Sequence, residues 1–378
     1  MYTGRKYGWI ESMGKSPNRD LGGKTLKTFR LGIIGLGDMA NIHLKELSSL
    51  AAFRITAICD VNPERLESAG SRLGIPHGKR YADYTDLIRD GDVDAVVSIT
   101  PNHLHADIMR TCLEAGKPFM SEKPFTRTFE EAEELLGLYL SRPVPAMIGF
   151  SYRYTPAFRL ARKLIQSGKI GRVRTFSMQY LQGWGAAVYR QPYVWRFDKS
   201  VAGSGTLGDL GSHMIDMAHF LFGRFQELSS QMATLIPERQ TAGTGEFAKV
   251  EVDDFVSFQA FMQNGAAGIF QTTRNAIGSE NQLEVFVYGD AGTLHASTVN
   301  PGHLIWIHVD EETGLTVEKK LTVPSGASLR QWEDFAGLLA GVPDEGLPDF
   351  MAGYDNQRVI EAVIRSNEWK RTVTVSYS

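Results

Sequence analysis

Between residues 29 and 150 the chain alternates two hydrophobic patterns. Short apolar runs, rich in β-branched residues, recur at 31–35, 53–59, 94–100, 118–121 and 146–149. Between them, apolar residues recur at helical spacing over 38–50 (Met39, Ile42, Leu47, Leu50), 63–73, 103–115 and 128–140. Strands alternating with helices of about 10–15 residues build βαβ units and a mostly parallel sheet. Asn62 is placed to cap the helix that Pro63 opens, and Gly116 to end the helix at 103–115.

After residue 152 the pattern changes. One helix is expected at 156–166, ending at Gly168. Alternating, β-rich stretches follow at 173–181, 254–262, 268–273, 282–288 and 293–296. Turn signals such as Gln263-Asn264-Gly265 and Gly289-Asp290-Ala291-Gly292 separate them. This predicts a mainly antiparallel sheet with a few helices, closed by helices at 329–340 and 354–367. The expected fold class is α/β plus α+β: a doubly wound parallel sheet over 29–150, and an open, mostly antiparallel sheet with helices over 151–378. Residues 1–28 form a basic N-terminal extension whose only acids are Glu11 and Asp20. It reads either as a tail or as an arm that Tyr7, Trp9 and Ile10 would anchor on a neighbouring subunit.

Composition excludes several classes. A net charge of −3 over 378 residues argues against nucleic acid or an anionic membrane as partner. There is no run of about 18 apolar residues. Two cysteines, Cys59 and Cys112, make no disulfide framework, so a reducing cytoplasm is the expected setting.

Candidate chemistry lies at strand ends. Gly35-Leu36-Gly37-Asp38-Met39-Ala40 follows the first strand and opens a helix. Its first glycine permits a tight turn, its second lets the backbone approach a pyrophosphate, and a small third residue allows helix–strand packing. Asp60 ends the second strand, where a carboxylate accepts from ribose hydroxyls and repels a 2′-phosphate; NAD rather than NADP is expected, with Arg65 nearby to soften that preference. Thr100-Pro101-Asn102, with His105, and Glu122-Lys123-Pro124 occupy the corresponding ends of later strands. Gly35, Gly37, Asp38, Met39, Asp60, Thr100, Asn102, His105, Glu122 and Lys123 are therefore the candidate cofactor contacts.

Asp209 and His213, at i and i+4, share a helix face after a Gly-rich run. Imidazole titrates near neutrality, which suits a base that takes a hydroxyl proton. Asp209 would orient substrate hydroxyls or hold the imidazole; alternatively the pair is a cap and a surface histidine. With Asp216 they lack the spacing of a zinc motif, and no metal is expected. Residues 180–197 hold six aromatics and two arginines, either a hydrophobic interface or a loop whose faces pack on sugar rings. Tyr180, Trp195 and Arg196 are the substrate candidates within it.

As an ordered set these motifs resemble the glucose-fructose oxidoreductase / inositol dehydrogenase / rhizopine catabolism (Gfo/Idh/MocA) family, together with Gly149-Phe150-Ser151-Tyr152-Arg153, Val252-Asp253-Asp254 and Tyr288-Gly289-Asp290-Ala291-Gly292. The likeness runs from about Phe29 to the C-terminus. It implies a Rossmann domain, NAD, and a catalytic trio of Lys123, Asp209 and His213, the histidine as base. Arg153 joins the substrate contacts. It also implies a homodimer or homotetramer and a small polyol or sugar substrate. A cyclitol or pyranose is expected because the chain lacks a dense basic cluster for a diphosphate. A nucleotide-sugar 3-dehydrogenase, an enzyme using bound NAD to cleave glycosides, and a non-catalytic NAD/sugar sensor are the alternatives.

Overall fold

A computed structural model describes residues 27–323 and 329–377, so the expected arm of Tyr7, Trp9 and Ile10 lies outside the described residues. The N-terminal part runs β1 (Phe29–Ile34), α1 (Asp38–Leu47), β2 (Phe53–Cys59), α2 (Pro63–Leu73), β3 (Arg80–Tyr81), α3 (Tyr84–Arg89), β4 (Ala95–Ser98), α4 (His105–Glu114), β5 (Phe119–Ser121), α5 (Phe129–Ser141) and β6 (Ala146–Ile148). Six parallel strands are ordered β3-β2-β1-β4-β5-β6. The order reverses between β1 and β4, which opens a crevice at the carboxyl ends of those strands, the usual ligand position in such a sheet. The short β3 and α3 escaped the hydrophobic pattern. Elsewhere punctuation decided the bounds: Asn62 accepts from Glu64 N and Arg65 N as α2 begins at Pro63, and Thr128 and Glu131 form a capping box on α5.

The C-terminal part holds α6 (Pro156–Gln166), β7 (Val173–Leu181), α7 (Lys199–Ala202), α8 (Ser212–Phe222), β8 (Phe225–Ala233), β9 (Glu238–Gln240), β10 (Phe247–Lys249), β11 (Phe255–Met262), β12 (Ala267–Thr273), β13 (Gln282–Gly289), β14 (Gly292–Ser297), β15 (His303–Val309), β16 (Thr316–Thr322), α9 (Gln331–Leu339), α10 (Phe350–Trp369) and β17 (Val373–Thr374). Nine strands form one sheet, ordered β16-β15-β14-β13-β7-β12-β11-β8-β17. Only the β7–β12 pairing is parallel. Alternation places Val256, Phe258, Ala260 and Met262 of β11 inward, against a core that α6, α8 and α10 complete. The opposite face carries exposed Phe261, Ile269 and Tyr288.

One segment crosses the expected boundary at residue 150. Trp332 and Phe335 of α9, within the 151–378 unit, pack on the first sheet, with Phe335 stacked on Phe53 at 6.0 Å. Apolar burial sets this return; nothing in the local pattern announces it. Among the described residues, no helix is long and apolar enough to cross a membrane.

Candidate active site

The crevice begins where β1 ends. Gly35 has φ +89°, and a Cβ there would sit 2.3 Å from Ile99 O, so the turn admits only glycine. Gly37 is the N-cap of α1, makes no side-chain cap bond, and has open space where a Cβ would be. Ala40 is buried as the small packing residue, while Asp38 and Met39 are exposed in the first turn. Uncapped helix N–H groups beside an unobstructed glycine fit a dinucleotide pyrophosphate.

Asp60 holds this turn shut: Oδ2 accepts from Leu36 N at 2.7 Å and Oδ1 from Asn62 N at 2.8 Å. Its remaining lone pairs are available to a ribose. Asp60→Ser is expected to weaken NAD binding and to shift the NAD/NADP preference toward NADP by about tenfold or more. Equilibrium binding of both cofactors checks this, and an unchanged ratio contradicts the assignment.

Thr100 lies against the Gly35 turn, its hydroxyl 3.1 Å from Ser98 Oγ. Two of the expected cofactor contacts also make bonds within the protein. Asn102 is buried and donates to Ala202 O at 2.9 Å, tying α7 to the first sheet. His105 is fully buried, its ring nitrogens 2.8 Å from Pro124 O and 3.0 Å from Thr100 O. Through these contacts both brace strand ends. Glu122 Oε1 pairs with His43 Nε2 at 2.9 Å, and Oε2 accepts from Lys123 N at 3.2 Å. Burial raises the Glu122 carboxyl, but His43 and Lys123 outweigh it and hold the pKa below the usual value. His43, on α1, gave no signal in the sequence beyond being polar in an amphipathic helix.

Lys123 follows β5 across a cis peptide to Pro124. Its Nζ donates to Asp209 Oδ1 at 2.8 Å and to Asp209 O at 3.0 Å. Arg274, at the end of β12, donates from Nη2 to Asp209 Oδ2 at 2.8 Å. Burial opposes ionisation of Asp209, yet Lys123 and Arg274 prevail and keep it a carboxylate.

Asp209 lies in a π-helical turn, Leu207–Gly211, that runs into α8. Asp253 anchors it by accepting from Gly205 N and Leu207 N, each at 2.8 Å. Gly205 has to be glycine, since a Cβ would fall 1.7 Å from Asp253 O. Asp209 thus sits in a π turn rather than regular α-helix, and its carboxylate bonds Lys123 and Arg274 rather than the imidazole.

His213 is buried beside Tyr152, ring centroids 4.6 Å apart, and its Nδ1 has no hydrogen-bond partner. Burial, and then the Lys123 cation, drive its pKa down to about 3. The ring is therefore neutral throughout the neutral range, with Nδ1 open to a partner. The unfolded chain takes up that proton near pH 6.5. Falling pH thus destabilises the fold between about 6.5 and about 3, where the unfolded state binds more protons. Nitrogen-15 NMR of labelled histidine is expected to show a neutral His213 ring from about pH 5 to about pH 8. A titration centred near pH 6.5 contradicts this environment.

A wall of neutral polar groups flanks His213. Tyr152 OH and Tyr180 OH are 2.6 Å apart, Asn281 Nδ2 donates to Tyr152 OH at 2.7 Å, and Tyr180 OH donates to Asn281 Oδ1. Gln182 Nε2 reaches Asn281 Oδ1 at 2.9 Å, and Trp184 Nε1 donates to Gln182 Oε1 at 2.7 Å. Arg196 stacks on Trp195 at 4.5 Å and is near enough to Asp209 to lower its pKa. Arg153, expected to bind substrate, does not reach this wall. Its guanidinium is buried on Asp216, Nη2 to Oδ1 at 2.6 Å, with Nη1 on Gly346 O at 3.2 Å. That pairing also removes Asp216 from any shared site with Asp209 and His213. Among the described residues, no cluster of histidine, cysteine and acidic side chains suits a metal ion.

Two family patterns match the chain: residues 29–150 match an oxidoreductase family with an NAD-binding Rossmann fold, and residues 158–295 match the Gfo/Idh/MocA C-terminal domain. Levoglucosan dehydrogenase of Pseudarthrobacter phenanthrenivorans is 36% identical over 289 residues, 71% of this chain and 73% of that protein. Inositol 2-dehydrogenase of Rhizobium meliloti is 28% identical over 275 residues, covering 72% and 77%. A levoglucosan dehydrogenase solved with NADH and L-sorbose superposes with a TM-score of 0.86 at 31% identity, covering 93% of this chain and 99% of that one. The protein belongs to the Gfo/Idh/MocA family of NAD-binding oxidoreductases.

Proposed function

We propose that the protein oxidises a secondary hydroxyl of an uncharged pyranose or cyclitol with NAD, and that an anhydropyranose of the levoglucosan type is the first substrate to test. The observation that carries this reading is the meeting of Lys123 and Asp209 at 2.8 Å, from opposite units, beside a neutral buried His213. NAD, when bound, supplies the hydride acceptor. Gly35, Gly37 and Asp60 would hold its pyrophosphate and ribose. Lys123 Nζ donates to the substrate oxygen and stabilises it as negative charge develops. His213 takes the hydroxyl proton on its ring nitrogen, and Asp209 fixes the lysine. The Tyr152, Tyr180, Gln182 and Asn281 wall offers neutral donors and acceptors to hydroxyls, and Trp184 and Trp195 offer ring faces. A relative named for levoglucosan supports the anhydropyranose, and one named for inositol supports the cyclitol.

The exposed Phe261, Ile269 and Tyr288 face of the nine-stranded sheet is the surface through which a homodimer or homotetramer would form. Free, buried Cys59 and Cys112 suit the cytoplasm. The test is NAD reduction, followed by near-ultraviolet absorbance, across levoglucosan, aldoses, inositols and UDP-sugars. Turnover is expected with a free pyranose, anhydropyranose or cyclitol. Turnover confined to UDP-sugars, or glycoside cleavage without net NAD reduction, overturns the reading.

A further inference from the structure

Arg274 gave no signal in the sequence and is among the most enclosed polar side chains in the protein, 1% exposed at the end of β12. Its Nη2 donates to Asp209 Oδ2 at 2.8 Å and to Gly205 O at 3.2 Å, while Nε and Nη1 are buried without partners. A buried guanidinium with unmet donors is costly to fold around, and an aliphatic residue of similar length fills such space at less cost.

The surroundings link it to the substrate wall. Residues 182–185 run alongside 273–276 through Gln182 N to Thr273 O at 3.0 Å, Gly185 N to Arg274 O at 2.9 Å and Ala276 N to Gln182 O at 3.0 Å. A Cβ on Gly185 would come within 2.8 Å of Arg274 Cβ, so glycine permits this close approach. The Trp184 ring lies 5.1 Å from the guanidinium carbon, a cation–π contact.

We propose that Arg274 is a positioning residue: it clamps the carboxylate oxygen of Asp209 that Lys123 leaves free, and couples that clamp to the Trp184 part of the substrate wall. With both oxygens held by cations, the carboxylate cannot rotate away from Lys123, and the direction of Lys123 Nζ is fixed. Lys123, Asp209 and Arg274 together keep one net positive charge where an alkoxide develops. A sugar ring seated on Trp184 presses on the same guanidinium that holds Asp209. The inference rests on the dehydrogenase reading above.

Arg274→Met and Arg274→Lys test it, with steady-state kinetics on the sugar that wild-type protein oxidises and NAD affinity from quenching of tryptophan fluorescence. Arg274→Met is expected to lower kcat about ten- to a hundredfold with NAD affinity unchanged, because Gly35, Gly37 and Asp60, which would hold the pyrophosphate and ribose, lie at the ends of β1 and β2. Arg274→Lys, which keeps the charge, is expected to recover most of kcat. A folded Arg274→Met with wild-type kcat overturns the proposal, as does an Arg274→Lys as impaired as the methionine variant. Should Arg274→Met be recovered unfolded, Trp184→Leu decides: coupling predicts a lower kcat as well as a higher KM, and a change in KM alone overturns it. Wild-type protein inactive on every sugar removes the dehydrogenase reading and this proposal together. Active wild type with an unimpaired Arg274→Met removes only this one.

Discussion

Replacing Lys123 by alanine is expected to lower kcat by about a thousandfold while leaving NAD affinity near its wild-type value. Lys123 is the only lysine or arginine whose side chain joins the end of β5 to Asp209 among the described contacts, and its Nζ touches that residue twice. Without it the developing alkoxide faces the neutral His213 ring and a carboxylate held by Arg274 alone. The turn proposed to hold the cofactor does not depend on the ammonium, since Gly35 N donates to Cys59 O and Asp60 accepts from Leu36 N and Asn62 N. The loss should therefore sit in kcat. Steady-state kinetics with parallel NAD titration measures it, and near-normal turnover removes Lys123 from the mechanism.

Arg153→Ala is expected to destabilise the fold by about 3–5 kcal/mol, because it strands the Asp216 carboxylate in the interior. Arg153 and Asp216 are 7% and 2% exposed, and the guanidinium also holds Gly346 O and Leu347 O, so one side chain joins α8 to the segment before α10. Removing both charges should be far milder than removing one: Arg153→Met with Asp216→Leu leaves no unpaired ion. Chemical denaturation of the three proteins checks this. A single variant no worse than the double contradicts a buried, stability-bearing pair.

These two residues also show what the sequence made legible. Features whose cause is local were read correctly in place. Pro63 and Pro156 open helices at the expected residues, and Gly35, Gly37 and Asp60 sit at the expected strand ends because each answers a demand of its own turn. Strands β8 and β16 escape the pattern because half or more of each is polar: Phe225–Ala233 alternates with serines and glutamines, and Thr316–Thr322 carries Glu318, Lys319 and Lys320; β15, mostly apolar, also went unassigned. Partnerships across the fold were not visible. Arg153 meets Asp216 63 residues away, and Arg274 meets Asp209 across 65, so each arginine looked unassigned or available to substrate. The turn between Asp209 and His213 was not legible either: the spacing reads as α-helix where Gly205, Gly208 and Gly211 allow a π turn packed against Asp253.

The most direct test of the account follows the hydrogen itself. Levoglucosan deuterated at all its carbons would be incubated with NAD and the wild-type protein, and the cofactor analysed by mass spectrometry. The account predicts reduced cofactor carrying one deuterium per molecule, formed in step with a ketone, and almost none with Lys123→Ala. Reduced cofactor without deuterium, or sugar consumed while the cofactor stays oxidised and unlabelled, would contradict hydride transfer at this site.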